Sequence, residues 1–326
     1  MVETALPVAV AEPDRHRKPT RGYVYLVVAA ALFALNGTVS KVILASGLTA
    51  MRLTELRCAG AAVGLGLVLL VVAPGRLRVR RSELPLLAAY GVAGVALTQC
   101  FYFVAIARMP VSIALLLEYT AVLMVALWAR FVMHQPVRNR VWAALALSLT
   151  GLALVAEVWT GGALDGMGVA AALGAAVALA VYYLLGEHST NHRDPLSTTF
   201  WAFVFATLLW SVVQPWWDFP TDATRGSTSL LGNLDGNTLP LWVLMTSMVV
   251  LGTIVPFVLV LSGLHHLPAT RVGMVGMLEP VLAGVIAWAW LGEALRAVQL
   301  GGAVVVLVGI VLAQTARSQD EPSGAS

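Results

Sequence analysis

The sequence predicts an all-α integral membrane protein with ten transmembrane helices, arranged as two inverted five-helix repeats. Of its 326 residues, 59% are hydrophobic and 11% are charged, whereas soluble domains average roughly 45–50% and about 25%. Apolar runs long enough to cross a bilayer, which takes about 20 residues, follow one another along almost the whole chain. One such run in each half carries an acid, Glu118 and Glu279, and this recurrence suggests a duplicated unit.

Ten spans are expected from the apolar runs that lie between clusters of turn residues and charges. An odd number of spans in each repeat turns the second copy over in the membrane, so a five-helix duplication is inverted. We expect a first repeat over 22–158, a second over 166–316, and tails over 1–21 and 317–326. The spans cover residues 23–45, 49–73, 84–107, 111–133, 140–158, 166–186, 196–216, 239–261, 272–291 and 298–316.

Each span has its own local signals. The first follows a basic cluster, but its long apolar stretch lacks the Ala-x-Ala pattern of a cleaved signal peptide. The second begins with charged residues, two glycines loosen the third, and the sixth is rich in Ala and Gly, which let helices pack closely. The fourth and ninth carry the two acids and follow Pro110 and Pro268. The fifth and tenth close their repeats with apolar turns that begin at Gly151 and Gly309.

The basic residues predict the orientation, because cytoplasmic loops retain Lys and Arg. Of 20 such residues, twelve fall on one side, three on the other, and five within spans or at their ends. This asymmetry predicts a plasma-membrane protein with both termini in the cytoplasm and the connection 217–238 outside. Charges spread over short loops do not form the basic face that binds nucleic acid, so no such partner is expected. The twelve are Arg15, Arg17, Lys18, Arg21, Arg76, Arg78, Arg80, Arg81, Arg138, Arg140, Arg193 and Arg317, and the three are Arg108, Arg225 and Arg296.

Neither a metal nor another cofactor is expected. Cys58 and Cys100 fall within spans and lack the spacing of a disulfide framework or a zinc site. His265 and His266 are adjacent, so their side chains point about 100° apart on a helix, and no acid or Cys completes a metal site. No Gly-x-x-x-x-Gly-Lys-Ser/Thr loop is present, which excludes ATP-driven transport within this chain. A proton gradient, another gradient or the substrate gradient remains as the energy source.

The two acids are the main candidates for function, because an ionisable group inside a span is costly and marks a functional site by default. Glu118 lies about seven residues into its span and Glu279 about eight, so each is roughly 10–12 Å deep. Pro280 is expected to kink its helix and free backbone donors that Glu279 accepts. Glu118 has no proline beside it and hence no expected helix break. We therefore predict that Glu118 handles substrate or protons and that Glu279 chiefly shapes the second repeat.

Each of the other polar residues within the spans has two possible roles. Asn36 either opens its helix toward a cavity or permits close packing beside Gly37. Gln99 and Tyr102 share a helix face and either line a pocket or pack against a neighbouring helix. Arg57 either pairs with an acid, the favoured reading, or holds a substrate carboxylate. The remaining cavity candidates are Tyr119, which projects about 100° away from Glu118, and Tyr182, which is otherwise an interfacial anchor together with Tyr183.

Ordered motifs in the second repeat resemble the EamA-type ten-helix branch of the drug/metabolite transporter superfamily. They are LPATRV at 267–272, LEPV at 278–281 and WLGEAL at 290–295. The resemblance extends over about 22–316, and the stretch IALLLEYT at 113–120 is similar to the threonine/homoserine exporter branch. It implies two five-helix repeats and export of small metabolites. The chain has Ala121-Val122 where first repeats of this type often have Gly-Pro, so the substrate is not carried over.

These features predict a secondary transporter that exports small amino-acid-like or drug-like metabolites by alternating access. One alternative is an uptake permease or facilitator of the same fold. Another is a membrane-embedded enzyme acting on lipid-linked substrates, although such an enzyme would be expected to show a His/acid or Asp-rich cluster at one interface. The expected partners are a small-molecule substrate and the lipid bilayer. Proton coupling and a homodimer are left open.

Overall fold

A computed structural model describes residues 18–106, 108, 111–159, 165–190, 193–221, 226–292 and 296–314. Most of the two tails predicted over 1–21 and 317–326 lies outside the described residues. The same holds for Pro110, Glu293 and four of the basic residues that entered the charge count, which are Arg15, Arg17, Arg225 and Arg317.

The described chain folds into ten apolar helices, which confirms the predicted fold class. Eight of them are long and apolar enough to cross a membrane, and α5 and α10 are shorter, with 17 and 18 residues. Large apolar side chains on the outside of the bundle are exposed, as expected for a surface covered by lipid. The helices are α1 Pro19–Ala45, α2 Ala50–Val72, α3 Leu84–Ala105, α4 in two segments Val111–Glu118 and Ala121–Phe131, α5 Asn139–Val155, α6 Gly166–Thr190, α7 Pro195–Val213, α8 Leu241–His266, α9 Ala269–Leu291 and α10 Ala297–Gln314.

The largest difference from the predicted spans lies at the junction of α8 and α9. The helices extend to His266 and begin again at Ala269, whereas hydropathy placed these ends at 261 and 272. Polar residues lower the hydropathy there without interrupting the backbone hydrogen bonds. The break falls at Pro268, which has no N–H to continue a helix, and the Glu187 carboxylate accepts a 3.0 Å hydrogen bond from the Ala269 amide at the start of α9.

The third helix of each repeat contains a π-helical stretch, Tyr90–Ala96 in α3 and Val250–Ile254 in α8. The stretch in α3 packs against α6 and α7, where Gly91 meets Ala202 and Gly94 meets Tyr182. The stretch in α8 packs against α1 and α2, where Gly252 meets Asn36. Each third helix therefore contacts the first two helices of the other repeat, as an inverted duplication predicts. Such single π turns are frequent at functional sites.

The fourth helix of each repeat is interrupted next to its acid. In α9 the break falls at Met277, three residues before Pro280, as expected if the proline ring excludes the preceding turn. In α4 the break follows Glu118 directly, so the expectation that Glu118 has no helix break beside it is wrong. The Thr120 hydroxyl donates a 2.5 Å hydrogen bond to the Leu117 carbonyl. This competes with regular helical bonding and interrupts the helix without a proline.

The last helices of the two repeats, α5 and α10, pack closely through glycines. A Cβ atom on Gly302 would lie 2.7 Å from the Gly151 carbonyl oxygen, and one on Gly309 would lie 3.0 Å from the Ala144 carbonyl oxygen. Small residues allow this approach in lipid, where the hydrophobic effect does not hold helices together.

The connection between α7 and α8 contains a short antiparallel hairpin with strands β1 Ser227–Ser229 and β2 Thr238–Pro240. The hairpin is attached to the end of α9. The Trp290 indole N–H donates to the Leu230 carbonyl at 2.8 Å, and the Asn233 amide donates to the Ala289 carbonyl at 3.1 Å. A Cβ atom on Gly232 would overlap the backbone of Leu291, so only glycine fits there.

Candidate functional site

One cavity of about 570 Å³ lies between the two repeats, and it is lined by α1 to α6 and α8 to α10. A cavity of this size is typical of a small-molecule site. It brings together all nine residues singled out from the sequence, although they come from six helices. They are Asn36, Arg57, Gln99, Tyr102, Glu118, Tyr119, Tyr182, Glu279 and Pro280.

The cavity reaches one end of the bundle and is closed at the other. We call the end at which α1, α3 and α5 finish the distal end, and the opposite end the proximal end. The lining extends to the distal end through Leu44, Ala156, Leu291 and Gln299. Lys41 is an exposed side chain of the same wall. The cavity is therefore accessible from the distal end in this conformation.

A cluster of aromatic rings closes the proximal end. Tyr90 and Tyr182 stack with ring centroids 5.3 Å apart, and Phe257 meets Tyr182 edge-on at 5.8 Å. Beyond the rings, α1 packs directly onto α8 and the start of α9. A Cβ atom on Gly22 would lie 2.9 Å from the Leu267 side chain, and one on Gly263 would lie 2.7 Å from Leu26. The proximal path is closed by large side chains and close helix packing, both of which would have to separate for it to open.

Glu118 and Glu279 lie in the same cavity, one from each repeat. Glu118 is 8% exposed, and its carboxyl interacts electrostatically with that of Glu279. Glu279 accepts a 2.8 Å hydrogen bond from the Tyr119 hydroxyl. We expected Glu279 to accept backbone donors freed by Pro280, but no such bond is made within the described chain. Because the helix breaks at Met277 and restarts at Leu278, the Glu279 side chain is directed into the cavity, where Tyr119 reaches it.

Arg57 is held by two neutral side chains. Its Nε donates to the Thr253 hydroxyl at 3.1 Å and its Nη1 donates to the Gln99 amide oxygen at 3.2 Å. Thr253 belongs to the π-helical stretch of α8 and donates in turn to the Met248 carbonyl at 2.9 Å. The ion pair favoured for Arg57 is not formed, because no carboxylate oxygen of a described residue lies within 4.0 Å of its guanidinium. The nearest fixed acceptors are uncharged.

Asn36 lies beside the Arg57–Thr253 pair, and its side chain packs against α8. Its side chain occupies the space left open by Gly252, which has no Cβ, and its Oδ1 has no hydrogen-bond partner among the residues described. The backbone of α1 remains helical through Asn36 and Gly37, so this pair does not unwind the helix. Gly37 instead leaves open space at the cavity wall, where a Cβ atom would meet nothing within 4 Å.

Two residues of the site were not found from the sequence. Tyr183 lines the cavity and is buried, whereas the pair Tyr182-Tyr183 had suggested an interfacial anchor. Thr253 was missed because a single threonine in an apolar run gives no sign that a π turn directs it toward Arg57. Gly252, directly before it, was the available signal, because a glycine there lets Asn36 approach α8 closely.

The histidines have ordinary packing roles. His265 Nδ1 lies 3.1 Å from the Thr190 carbonyl oxygen, and the His266 ring stacks on Tyr25 at 6.1 Å. Over the part of the chain that is described, no group of three His, Cys, Asp or Glu residues could hold a metal ion.

Comparisons with known proteins agree with this architecture. The family model described as the EamA-like transporter family matches the chain twice, over residues 20–156 and 166–315. A protein of known crystal structure superimposes with a TM-score of 0.74 over 91% of this chain and 97% of that one. Its sequence is 16% identical, so this likeness supports the fold alone.

Similar curated proteins are transporters. The threonine/homoserine exporter RhtA of Salmonella typhimurium strain SL1344 is 30% identical over 297 residues, which cover 90% of this chain and 88% of that protein. Its namesake in Escherichia coli strain K12 is 30% identical over 275 residues, or 84% and 80% of the two chains. An uncharacterized transporter of Archaeoglobus fulgidus is 28% identical over 67% of this chain and 72% of that protein. The ten-helix fold, the two family matches and these relatives show that the chain belongs to the EamA-like transporter family.

Proposed function

We propose that this protein is a secondary transporter of the plasma membrane that exports small amino-acid-like metabolites by alternating access. The main support is the cavity between the two repeats, which reaches the distal end and is closed by aromatic rings at the proximal end. Sites at the interface of inverted repeats, exposed to each side in turn, are typical of secondary transporters. The structure corresponds to one of the two access states in this proposal.

The substrate proposal combines the relatives with the lining of the cavity. The similar curated proteins are named threonine/homoserine exporters, and we propose L-threonine and L-homoserine as the first candidates. The cavity offers hydroxyl, amide, carboxylate and basic groups on largely apolar walls, which suits a small polar amino acid. Uptake of the same substrates by the same fold is the alternative, and the direction of transport distinguishes the two.

The distal end is proposed to face the cell exterior. This follows from the predicted placement of both termini in the cytoplasm, which rests on the excess of Lys and Arg on the proximal connections. The state described here is then open to the outside. In the opposite state, the rings of Tyr90, Tyr182 and Phe257 would separate while the distal ends of α1 and α9 approach each other.

Proton coupling is proposed to involve Glu118, beside the second acid of the cavity. Buried carboxyls in membrane transporters mark proton pathways, and Glu118 and Glu279 are close enough to interact electrostatically. A proton that enters from outside would neutralise Glu118 as the substrate leaves, and its release into the cytoplasm would reset the carrier. A single chain completes the cavity, so a homodimer is not required.

The function is tested by the response of cells to toxic amounts of substrate. A deletion strain and an overexpressing strain are grown on a series of L-threonine and L-homoserine concentrations, with intracellular amino acids measured in parallel. Export predicts resistance and lower intracellular threonine on overexpression. Greater sensitivity with higher intracellular threonine would instead identify an uptake permease. An unchanged response to both amino acids would contradict this substrate class.

A further inference from the structure

We propose that the cavity recognises a zwitterion by its two charged ends, with Arg57 binding the carboxylate and Glu279 binding the ammonium group. The inference rests on the proposed transport function and deepens it, since it assigns the groups that would select an α-amino acid. It is carried by the positions and hydrogen bonds of the two side chains.

Arg57 has the features of an anion-binding side chain. The residue is 7% exposed and lines the cavity, and no described carboxylate lies within 4.0 Å of it. A buried charge without a counter-charge is costly, so an incoming anion would recover more free energy here than at the surface. The positive charge is therefore available to the substrate.

The guanidinium is also oriented for this role. The Arg57 Nε donates to Thr253 and its Nη1 donates to Gln99, while its Nη2 donates to none of the described residues. These two hydrogen bonds, to acceptors on α8 and α3, fix the plane of the guanidinium and leave its Nη2 side open. A carboxylate binds well at such a planar edge, because guanidinium and carboxylate geometries match.

Glu279 supplies the opposite charge on the same cavity. Its carboxylate interacts electrostatically with Arg57 without reaching it, so a gap separates the two groups. Tyr119 holds Oε2, and Oε1 has no donor in the described part of the chain. An amino acid in this gap would place its carboxylate toward Arg57 and its ammonium toward Glu279. Glu118 lines the same cavity and is influenced electrostatically by Glu279, and it has no part in holding the zwitterion, which leaves it for proton handling.

The first test uses the wild-type protein in nanodiscs and varies the ligand. Binding of L-threonine, L-threoninamide and N-acetyl-L-threonine is measured by isothermal titration calorimetry. The amide lacks the carboxylate charge and the acetylated compound lacks the ammonium charge. Each is expected to bind roughly tenfold to a hundredfold more weakly than threonine, since a hydrogen bond between charged groups contributes that much. Equal binding of all three compounds would overturn the inference.

The second test pairs each ligand with a variant. Arg57→Gln should weaken threonine binding and remove the preference for threonine over threoninamide, while its preference over N-acetyl-threonine remains. Glu279→Gln should do the reverse. Arg57→Lys, which keeps the charge, should retain part of the first preference. Arg130→Gln is the control, because Arg130 is exposed on α4 and does not line the cavity. A merely structural role for Arg57 predicts an equal loss for all three ligands and would overturn the assignment.

The two proposals fail in different ways. If cells export threonine and the purified protein binds it, but Arg57→Gln keeps its preference over the amide, only the zwitterion assignment is wrong. If neither L-threonine nor L-homoserine binds and overexpression confers no resistance, the proposed function fails and the assignment fails with it.

Discussion

The Tyr119 hydroxyl donates a 2.8 Å hydrogen bond to the Glu279 carboxylate, and this bond joins the fourth helices of the two repeats across the cavity. Both residues lie beside a helix break, at 119–120 in α4 and at Met277 in α9. The two interrupted helices therefore meet through the groups that we propose to act in transport.

Tyr119→Phe tests the importance of this bond. The substitution leaves a half-buried carboxylate without its donor, which should cost about 1 kcal/mol and lower the thermal unfolding temperature of the purified protein. Tyr102→Phe is a matched control, since Tyr102 lines the same cavity and its hydroxyl makes no described hydrogen bond. Equal unfolding temperatures for the two variants would show that the bond does not stabilise this state.

Gly302→Ala tests the packing of α5 on α10. The added methyl group would lie 2.7 Å from the Gly151 carbonyl oxygen, so the helices must move apart at a cost of about 1–3 kcal/mol. We expect a lower unfolding temperature and less protein in the membrane. Gly301→Ala is the control, because a Cβ atom there meets nothing within 4 Å. If Gly301→Ala destabilises the protein as much, close packing at Gly302 is not the cause.

Trp290→Phe tests the attachment of the hairpin to α9. The variant loses the hydrogen bond to the Leu230 carbonyl, which should contribute about 0.5–1.5 kcal/mol. Amide hydrogen exchange over 227–240 should become several-fold faster, measured by mass spectrometry. Trp288→Phe is the matched control, since Trp288 is 54% exposed. Unchanged hydrogen exchange in Trp290→Phe would mean that the remaining contacts are enough to attach the hairpin to α9.

Single cysteines test the orientation and the access state together, in a background with Cys58→Ala and Cys100→Ala. Gly236→Cys lies on the hairpin, Gly75→Cys on the proximal connection after α2, and Gly37→Cys on the cavity wall. Each glycine has open space for a side chain. In intact cells an impermeant thiol reagent should label Gly236→Cys and Gly37→Cys but not Gly75→Cys. Labelling of Gly75→Cys alone would reverse the proposed topology.

The sequence predicted much of this architecture because the bilayer imposes a strong signal. Ten apolar runs gave ten helices, and burial of a charge in oil pointed to Glu118, Glu279 and Arg57. The predicted polar residues line the cavity because polar groups in a span are directed away from lipid.

Local changes in the backbone hydrogen bonding of the helices leave no comparable signal in the sequence. The π turn of α8 is followed by Pro256, which has no N–H to continue the regular pattern. The π turn of α3 and the break after Glu118 involve no adjacent proline, and hydropathy does not distinguish them from regular helix. For the same reason, the bond from Arg57 to Thr253 was missed and an ion pair was expected instead. The proline at 280 predicted a kink, but it did not show that Glu279 would face Tyr119 in the cavity.

Gradient-driven transport by Glu118→Gln tests the central claim most directly. The substitution keeps the shape of the side chain and removes its titration. In everted membrane vesicles with an acidic lumen, the wild-type protein should accumulate L-threonine as protons leave, and accumulation should fall when the pH gradient is dissipated. Glu118→Gln at equal membrane abundance should lose this gradient-driven accumulation. Accumulation by Glu118→Gln at the wild-type rate and with the same dependence on the pH gradient would contradict the account.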